Sequence, residues 1–330
     1  MTPPVALTLG DPAGIGGEIA LKAWAALGGR LPFFLIGDGA HLTGLGARLS
    51  VPVVAIDAPE AAAEALPRGL PVLHHPLPRP APPGVPDPAN AAAVVAIIAR
   101  GVEIVRAGRA SALCTNPIHK KALKDGAGFA FPGHTEFLAH LCGAPLPVMM
   151  LAAPGLRVVP VTIHIPLAEV PAALTPALLE ATIRITHAGL VADFGLPAPR
   201  IAVAGLNPHA GEGGAIGGEE IAVLGPVLDR LRAEGMALTG PHSADTLFHA
   251  VARARYDAAV CMYHDQALIP IKTIAFDEGV NVTLGLDFVR TSPDHGTAYN
   301  IAADLVANPA SLVAALELAA ATGATRAARR

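Results

Sequence analysis

Aromatic and charged side chains are both scarce in this sequence of 330 residues, at 4% and 15% of the chain. With 23 basic and 27 acidic residues the formal charge is −4, so there is no basic surplus for binding nucleic acid or an anionic membrane. The three cysteines are few and lie in apolar surroundings, which indicates buried free thiols. No secretory signal is recognised, and proline or charge interrupts each apolar run short of the ~20 residues that a bilayer requires. We therefore expect a soluble, cytoplasmic protein.

Small aliphatic residues, glycine and proline make up most of what is present. Apolar residues account for 52%, and the 34 glycines and 32 prolines fall mostly between apolar runs, as expected of many short elements joined by turns. Ala91–Val105 has helical spacing of its apolar residues, and Thr175-Pro176 is typical of a helix start. The predicted strands are Val5–Leu9, Phe33–Ile36, Val51–Ile56, Ala112–Cys114, Val148–Leu151, Val158–Ile163, Ile201–Leu206 and Ala258–Met262. Strands alternating with helices predict an α/β protein, and the length favours two lobes with a cleft.

Three of the thirteen histidines share one context. His164, His209 and His264 each follow the carboxyl end of a predicted strand. Ligands bind at that edge of open α/β sheets, so the three imidazoles are candidates for one metal site with an open position. Three unrelated loop histidines are the alternative that the spacing leaves open.

Two glycine-rich loops and one helix start are further candidates. Residues 207–220 form a glycine-rich loop leading into a helix, and residues 10–16 follow the first strand, but neither matches a phosphate-binding or dinucleotide-binding fingerprint. In the segment Phe131–Leu138, Thr135 is expected to cap a helix and His134 to project from the preceding loop. Lys272, Asn281 and Arg290 are residue types that bind phosphate or carboxylate, although each is also common on a solvated surface.

Several motifs occur together in one order. They are Gly10–Gly16, Thr115–Lys120, Pro132–Glu136, Gly205–Glu212, Ala244–Thr246, Tyr263–Gln266 and Arg290–Ala298. With these motifs the chain resembles the 4-hydroxythreonine-4-phosphate dehydrogenase family of pyridoxal phosphate biosynthesis, from about the first strand to the last helices. Gly17 stands where the family usually has a proline, a change at the helix entry that leaves the implied site intact.

The resemblance implies an α/β fold like that of isocitrate and isopropylmalate dehydrogenases, with two α/β/α lobes and an interlobe cleft. Residues 1–135 and 286–330 are expected to form the first lobe, and residues 136–285 the second, which carries the metal ligands and dimer contacts. The family is a homodimer whose active site is completed by the partner subunit. The resemblance implies that His164, His209 and His264 bind one divalent metal ion, Zn, Co or Mg, with at least one histidine from the second subunit.

The resemblance also assigns substrate and cofactor contacts. The implied substrate-binding residues are His134, Thr135, Lys272, Asn281 and Arg290. The implied cofactor-binding loop for NAD or NADP is His295, Gly296, Thr297 and Ala298, without a Rossmann domain.

The implied reaction is oxidation of 4-phosphooxy-L-threonine at its C3 alcohol, followed by decarboxylation to 3-amino-2-oxopropyl phosphate. Lys272, Asp245 and Asp265 are the candidates for moving the proton, and the sequence does not rank them. Alternatives left open are another phosphorylated hydroxy acid such as threonate or erythronate 4-phosphate, a cyclic diol acid, a three-histidine zinc hydrolase, and a protein that binds a phosphorylated metabolite without turnover.

Overall fold

The computed structural model describes residues 2–329. They divide into two compact units, one formed by residues 2–147 and 286–329 and the other by residues 148–285. The expected division lay after residue 135 rather than after residue 147. Each unit is an α/β structure with its own core.

The described residues form twelve strands and twelve α-helices. The strands are β1 Val5–Thr8, β2 Phe33–Gly37, β3 Val53–Ile56, β4 Leu70–His74, β5 Leu113–Thr115, β6 Val148–Ala153, β7 Leu156–Thr162, β8 Ile201–Ala204, β9 Leu238–His242, β10 Ala258–Tyr263, β11 Val280–Leu284 and β12 Arg290–Pro293. The helices are α1 Gly16–Leu27, α2 Gly39–Leu49, α3 Ala62–Ala65, α4 Ala91–Arg106, α5 Lys120–Ala127, α6 His134–Cys142, α7 Val170–Ala173, α8 Pro176–Ala192, α9 Gly225–Ala233, α10 Ala250–Arg253, α11 His264–Ile274 and α12 Ala310–Ala327.

In the first unit the strand order is β3-β4-β2-β1-β5-β12, and these neighbours pair in parallel. In the second unit the order is β11-β6-β7-β10-β8-β9. There β6 pairs antiparallel with β11 and β7, while β7, β10, β8 and β9 are parallel. Parallel strands bring their carboxyl ends to one edge, so each unit gathers several loops at such an edge.

Helix α4 illustrates how the sequence specifies the first core. Val94, Ile97, Ile98 and Val102 recur at helical spacing, are at most 3% exposed, and pack with Phe34 and Ile36 of β2. Together with the preceding 3₁₀ turn, this segment, Pro88–Arg106, is long and apolar enough to cross a membrane, although 56% of its most apolar window is buried. It is therefore explained as a core helix of an α/β unit.

All eight predicted strands and the two predicted helices are present, with shifted ends. Thr175 caps α8, its Oγ1 accepting from the Leu178 N–H at 3.2 Å. Cys114, Cys142 and Cys261 are free thiols, as predicted, and Cys142 is only partly buried.

Candidate active site

In the first unit, three loops meet at the carboxyl ends of the neighbouring strands β1, β5 and β12. Backbone hydrogen bonds tie them together. The Asp11 N–H donates to the Pro117 carbonyl at 2.9 Å, and the Ile15 N–H donates to the Thr297 carbonyl at 3.1 Å. The three sequence motifs that include these residues therefore form one connected edge.

Arg290, the first residue of β12, is 3% exposed. Its Nε and Nη2 atoms donate to Thr115 Oγ1 at 3.2 Å and 2.6 Å. Burial lowers the pKa of the guanidinium to about 10, so it remains positively charged at neutral pH. A buried cation at a ligand-binding edge is suited to a phosphate or carboxylate group.

His134 begins helix α6 and faces this cation. Its Nε2 atom is buried without a hydrogen-bond partner. Burial, and then the positive charges of Arg290 and Lys120, hold the pKa of His134 well below its usual range. The imidazole is therefore neutral at physiological pH, and its buried nitrogen is free to bond to a ligand.

The prediction that Thr135 caps this helix is wrong. Gly133 is the N-cap, and its carbonyl already accepts from the Phe137 N–H at 3.2 Å. The helix therefore starts two residues earlier than expected, and Thr135 is its second residue.

The loop expected to bind the cofactor, residues 295–298, packs against the loop after β1. A Cβ on Gly14 would lie 2.8 Å from the Thr297 carbonyl oxygen, so this approach requires glycine. Ala298 has a φ of +47°, which is strained for a residue with a side chain. Such a strained loop held by backbone contacts is typical of a ligand-binding segment.

In the second unit, His164 and His264 lie side by side. Their ring centroids are 5.7 Å apart, because they follow the paired ends of the parallel strands β7 and β10. His164 has a φ of +55°, and His264 Nδ1 lies 2.8 Å from the Asp265 carboxylate. They border a cavity of about 350 Å³ lined by Thr162, Ile163, His164, Ile165, Leu167, Val170, Tyr263, His264 and Asp265.

His209 lies in a different loop of the second unit. Residues 209–213 all have positive φ, and the Asn207 N–H donates to Glu220 Oε1 at 2.7 Å, which closes the loop. The Ser243 hydroxyl, and to a lesser extent the His209 imidazole, lower the pKa of Asp245. Across residues 2–329, no group of three or more His, Cys, Asp or Glu side chains is arranged to hold a metal.

Lys272 and Asn281 also belong to the second unit. Lys272 is in the last turn of α11, with its Nζ 5.3 Å from the centroid of the Phe276 ring. Asn281 is opposite Leu151 on the paired strands β11 and β6, and its Oδ1 is buried without a hydrogen-bond partner. An unsatisfied buried amide oxygen is costly, which favours a ligand at Asn281.

A family model described as pyridoxal phosphate biosynthetic protein PdxA matches residues 31–319. This chain belongs to the PdxA family. It is 58% identical over 320 residues to a protein of Roseobacter denitrificans named 4-hydroxythreonine-4-phosphate dehydrogenase, with 97% of each chain covered. A crystal structure of 4-hydroxythreonine-4-phosphate dehydrogenase from Klebsiella pneumoniae is 39% identical, has a TM-score of 0.90 and covers 98% of both chains. The predicted family and fold class are confirmed.

This PdxA-family chain is also similar to a protein named for a different substrate. A terephthalate 1,2-cis-dihydrodiol dehydrogenase from Burkholderia xenovorans is 30% identical with a TM-score of 0.68, covering 97% of this chain and 98% of its own. The same α/β fold therefore occurs in a protein named for a different substrate.

The donor set of this PdxA-family chain fits a divalent metal ion in part. His164 and His264 offer two neighbouring imidazoles, and the Asp265 carboxylate orients the second ring through Nδ1, an arrangement common for metal-ligating histidine. The third implied ligand, His209, is not brought into this pair within one chain.

Two residues at the strand ends were not predicted individually from the sequence. Thr115 orients Arg290, and Gln266 bonds to two strand ends. Both lie inside motifs that were recognised, Thr115–Lys120 and Tyr263–Gln266. Because neither side chain is ionisable, only its position within a recognised motif could have identified either residue from the sequence.

Proposed function

We propose that this PdxA-family chain is a 4-hydroxythreonine-4-phosphate dehydrogenase that uses NAD or NADP and a divalent metal ion. It oxidises 4-phosphooxy-L-threonine to 2-amino-3-oxo-4-phosphooxybutanoate, which loses CO₂ to give 3-amino-2-oxopropyl phosphate. It is an oxidoreductase of pyridoxal phosphate biosynthesis. One observation carries this assignment: the 58% identity to a protein of that name over 97% of both chains.

The anionic groups of the substrate are assigned to the cluster around Arg290. The guanidinium is charged, buried and oriented by Thr115, and the neutral His134 beside it keeps an unpartnered Nε2. A charged donor in a dry site makes strong hydrogen bonds to phosphate or carboxylate oxygens. Thr135, Lys272 and Asn281 complete the proposed substrate contacts, and the unsatisfied Oδ1 of Asn281 supports its inclusion.

The metal ion is assigned to His164 and His264 with His209, the last contributed by a second copy of the chain. When bound there, a divalent ion lowers the pKa of the C3 alcohol and polarises the ketone that forms. Asp265 holds His264 through Nδ1, which leaves Nε2 as the ligating atom. Zn, Co and Mg are the candidate ions, and imidazole ligands favour the first two.

Proton transfer at the substrate is assigned to the group Lys272, Asp245 and Asp265. Asp265 already contacts the His264 ring, which gives it an orienting role toward the proposed metal ligand. Asp245 accepts from the Ser243 hydroxyl at 2.5 Å, and its lowered pKa keeps it ionised and able to accept a proton. All three remain the predicted candidates.

The nicotinamide cofactor is assigned to the loop His295–Ala298. Its contacts with Gly14 and Ile15 fix the loop at the edge that also holds Arg290, all within the first unit. The strained Ala298 supports a binding role for this loop.

A second copy of the chain is the proposed partner, and the cytoplasm the proposed location. Eight large apolar side chains of the second unit are at least 37% exposed, which is an arrangement suited to a subunit interface. They are Ile165, Leu167, Ile216, Ile221, Val251, Ile269, Ile274 and Phe276. Ile165 and Leu167 also line the cavity beside His164, so a partner covering them would reach the proposed metal ligands.

Purified protein with a divalent ion, NAD⁺ and 4-phosphooxy-L-threonine should form NADH and release CO₂. The same assay with threonate 4-phosphate, erythronate 4-phosphate and the terephthalate cis-dihydrodiol tests the alternatives. Turnover of one of these with none of the phosphoamino acid would refute the assignment. Product formation without any nicotinamide would instead support a hydrolase, and ligand binding without turnover a binding protein.

A further inference from the structure

The parallel ladder between β8 and β10 stops short of the loops that follow these strands. Its last pair is Val203 opposite Val260. If the same register continued for two more residues, Gly205 would lie opposite Met262. In a parallel pair each residue bonds to the neighbours of the residue opposite it, so a continued ladder would join these two strand ends by backbone bonds of roughly 2.9 Å.

A side-chain amide lies between these two backbones instead. Gln266 Oε1 accepts from the Met262 N–H at 2.7 Å, and Gln266 Nε2 donates to the Gly205 carbonyl at 2.7 Å. Gln266 is 9% exposed. The amide therefore satisfies both strand ends while holding them further apart than a direct ladder bond would.

A second buried side chain bonds to the other backbone group of the same residue. Thr162 Oγ1, at the end of β7, donates to the Met262 carbonyl at 2.8 Å. Met262 is thus fixed through its N–H by Gln266 and through its carbonyl by Thr162. Both bonds are buried, so losing either one leaves a polar group without water to replace its partner.

The three strand ends joined by these bonds are those that precede the three histidines. Thr162 and Met262 each lie two residues before His164 and His264, and Gly205 lies four residues before His209. The bonded side chains are not ligands themselves. Their position means that the spacing between the histidine-bearing loops depends on the Gln266 amide.

We propose that Gln266 is a positioning residue that sets the separation of the β8 and β10 ends and thereby the placement of His264 beside His164, the two ligands that one chain would contribute to a site. The inference rests on the metal site of the proposed function. A purely structural role would make Gln266 matter for stability alone. A positioning role makes it matter for metal affinity and ligand geometry in a protein that is still folded.

The test uses Gln266→Met, which keeps the side-chain length and removes both hydrogen bonds. Thr162→Val is the second variant, because it removes the other side-chain bond to the Met262 backbone with little change in shape. Thr186→Val is the matched control, since Thr186 is a buried threonine whose hydroxyl donates to the Thr182 carbonyl within α8. Folding of each variant is checked by thermal unfolding.

Co²⁺ titration followed by its visible absorption reports affinity and ligand geometry. We expect Gln266→Met to bind Co²⁺ about 10- to 100-fold more weakly with an altered spectrum, as for other residues that support metal ligands. Thr162→Val should show a smaller loss, and Thr186→Val should bind as the wild type does. A folded Gln266→Met variant that binds Co²⁺ with wild-type affinity and an unchanged spectrum would overturn the proposal. If Gln266→Met does not fold, the same result for Thr162→Val would overturn it.

Amide exchange in the metal-free protein gives an independent readout. Loss of the Gln266 acceptor should speed exchange of the Met262 N–H by roughly fivefold or more, the equivalent of one net hydrogen bond. Unchanged exchange would contradict the spacing role. A wild-type chain that binds no Co²⁺ would refute the proposed metal site, and exchange would then decide the spacing role by itself.

Discussion

Arg290 directs two guanidinium N–H groups at one acceptor, Thr115 Oγ1, at 3.2 Å and 2.6 Å. The two residues lie on the neighbouring parallel strands β12 and β5 and are 3% and 0% exposed. A hydroxyl is a neutral acceptor, so it orients the guanidinium without cancelling its charge. Thr115 therefore does not neutralise the guanidinium, as a carboxylate in the same place would.

Changing either partner should weaken binding of the phosphoamino acid. In Thr115→Val the orienting acceptor is lost, and we expect the KM for substrate to rise roughly tenfold and the free energy of unfolding to fall by about 1–2 kcal/mol. Arg290→Lys replaces the planar guanidinium, which can donate two parallel hydrogen bonds, by an ammonium group, and kcat/KM should fall about 100-fold. Steady-state kinetics and urea unfolding measure both quantities.

Thr291→Val is the matched control for these variants. Thr291 is also buried on β12, but its hydroxyl donates to the Ala315 carbonyl of α12 at 2.9 Å. Its loss should lower stability by a similar amount and leave the substrate KM unchanged. An equal rise of KM in Thr291→Val and Thr115→Val would mean that general loosening of the strand, and not orientation of Arg290, explains the effect.

His134 should make the protein less stable in acid. Its pKa is far below the ordinary 6.5 because of burial and then the charges of Arg290 and Lys120. Between that lowered pKa and about 6.5 the unfolded chain binds a proton that the folded chain does not, so stability falls as pH falls through this window and is unaffected above it. In His134→Gln this loss disappears. The stability difference between wild type and variant should therefore shrink as the pH is lowered.

Urea unfolding at several pH values measures this difference in stability. The pH values start at 7.5 and extend downward over about two to three units around the ordinary histidine pKa. His140→Gln supplies the comparison, because His140 is exposed on the same helix α6. If the difference in unfolding free energy between wild type and His134→Gln is constant across this range, His134 does not titrate as proposed.

Much of the fold could be predicted from the local pattern of apolar residues. The apolar runs of β1, β2 and β10 are fully or almost fully buried strands, and a buried parallel strand needs an unbroken apolar segment. The rule that ligands bind at carboxyl ends also brought His164 and His264 together correctly, because β7 and β10 are neighbours.

The remainder depended on tertiary context. Strand β12 reads Arg-Thr-Ser-Pro, which is polar and contains proline, and its strand conformation depends on pairing, as with β5. His209 follows a predicted strand as well, but it lies in a loop with a run of left-handed residues. Such a run costs energy that contacts such as those of Asn207 with Glu220 help to offset, and no local sequence pattern predicts it.

Gly14 should be required for the nicotinamide cofactor more than for the substrate. A Cβ at Gly14 would lie 2.8 Å from the Thr297 carbonyl oxygen, next to the Ile15 to Thr297 hydrogen bond. In Gly14→Ala the loop must shift, so we expect the KM for NAD⁺ to rise about tenfold, with a stability loss of about 1–3 kcal/mol. Gly44→Ala is the control: Gly44 is exposed in α2 with open space around its Cβ, and its replacement should stabilise by about 0.5–1 kcal/mol. A larger rise in the KM for the phosphoamino acid than for NAD⁺ would contradict the cofactor assignment.

The proposed metal site takes histidines from two subunits, so mixing subunits that carry different substitutions tests it. His164 and His264 adjoin in one chain, and the proposed site takes its third ligand, His209, from another copy. His164→Ala and His209→Ala should each be folded dimers with almost no activity. When the two are unfolded together in equal amounts and refolded, half of the dimers are mixed, and each mixed dimer holds one intact site and one that lacks both histidines. Activity should therefore recover to about one quarter of wild type, with about one quarter of the metal content. If all three histidines served one chain, both variants would lack a ligand in every site and mixing would restore nothing.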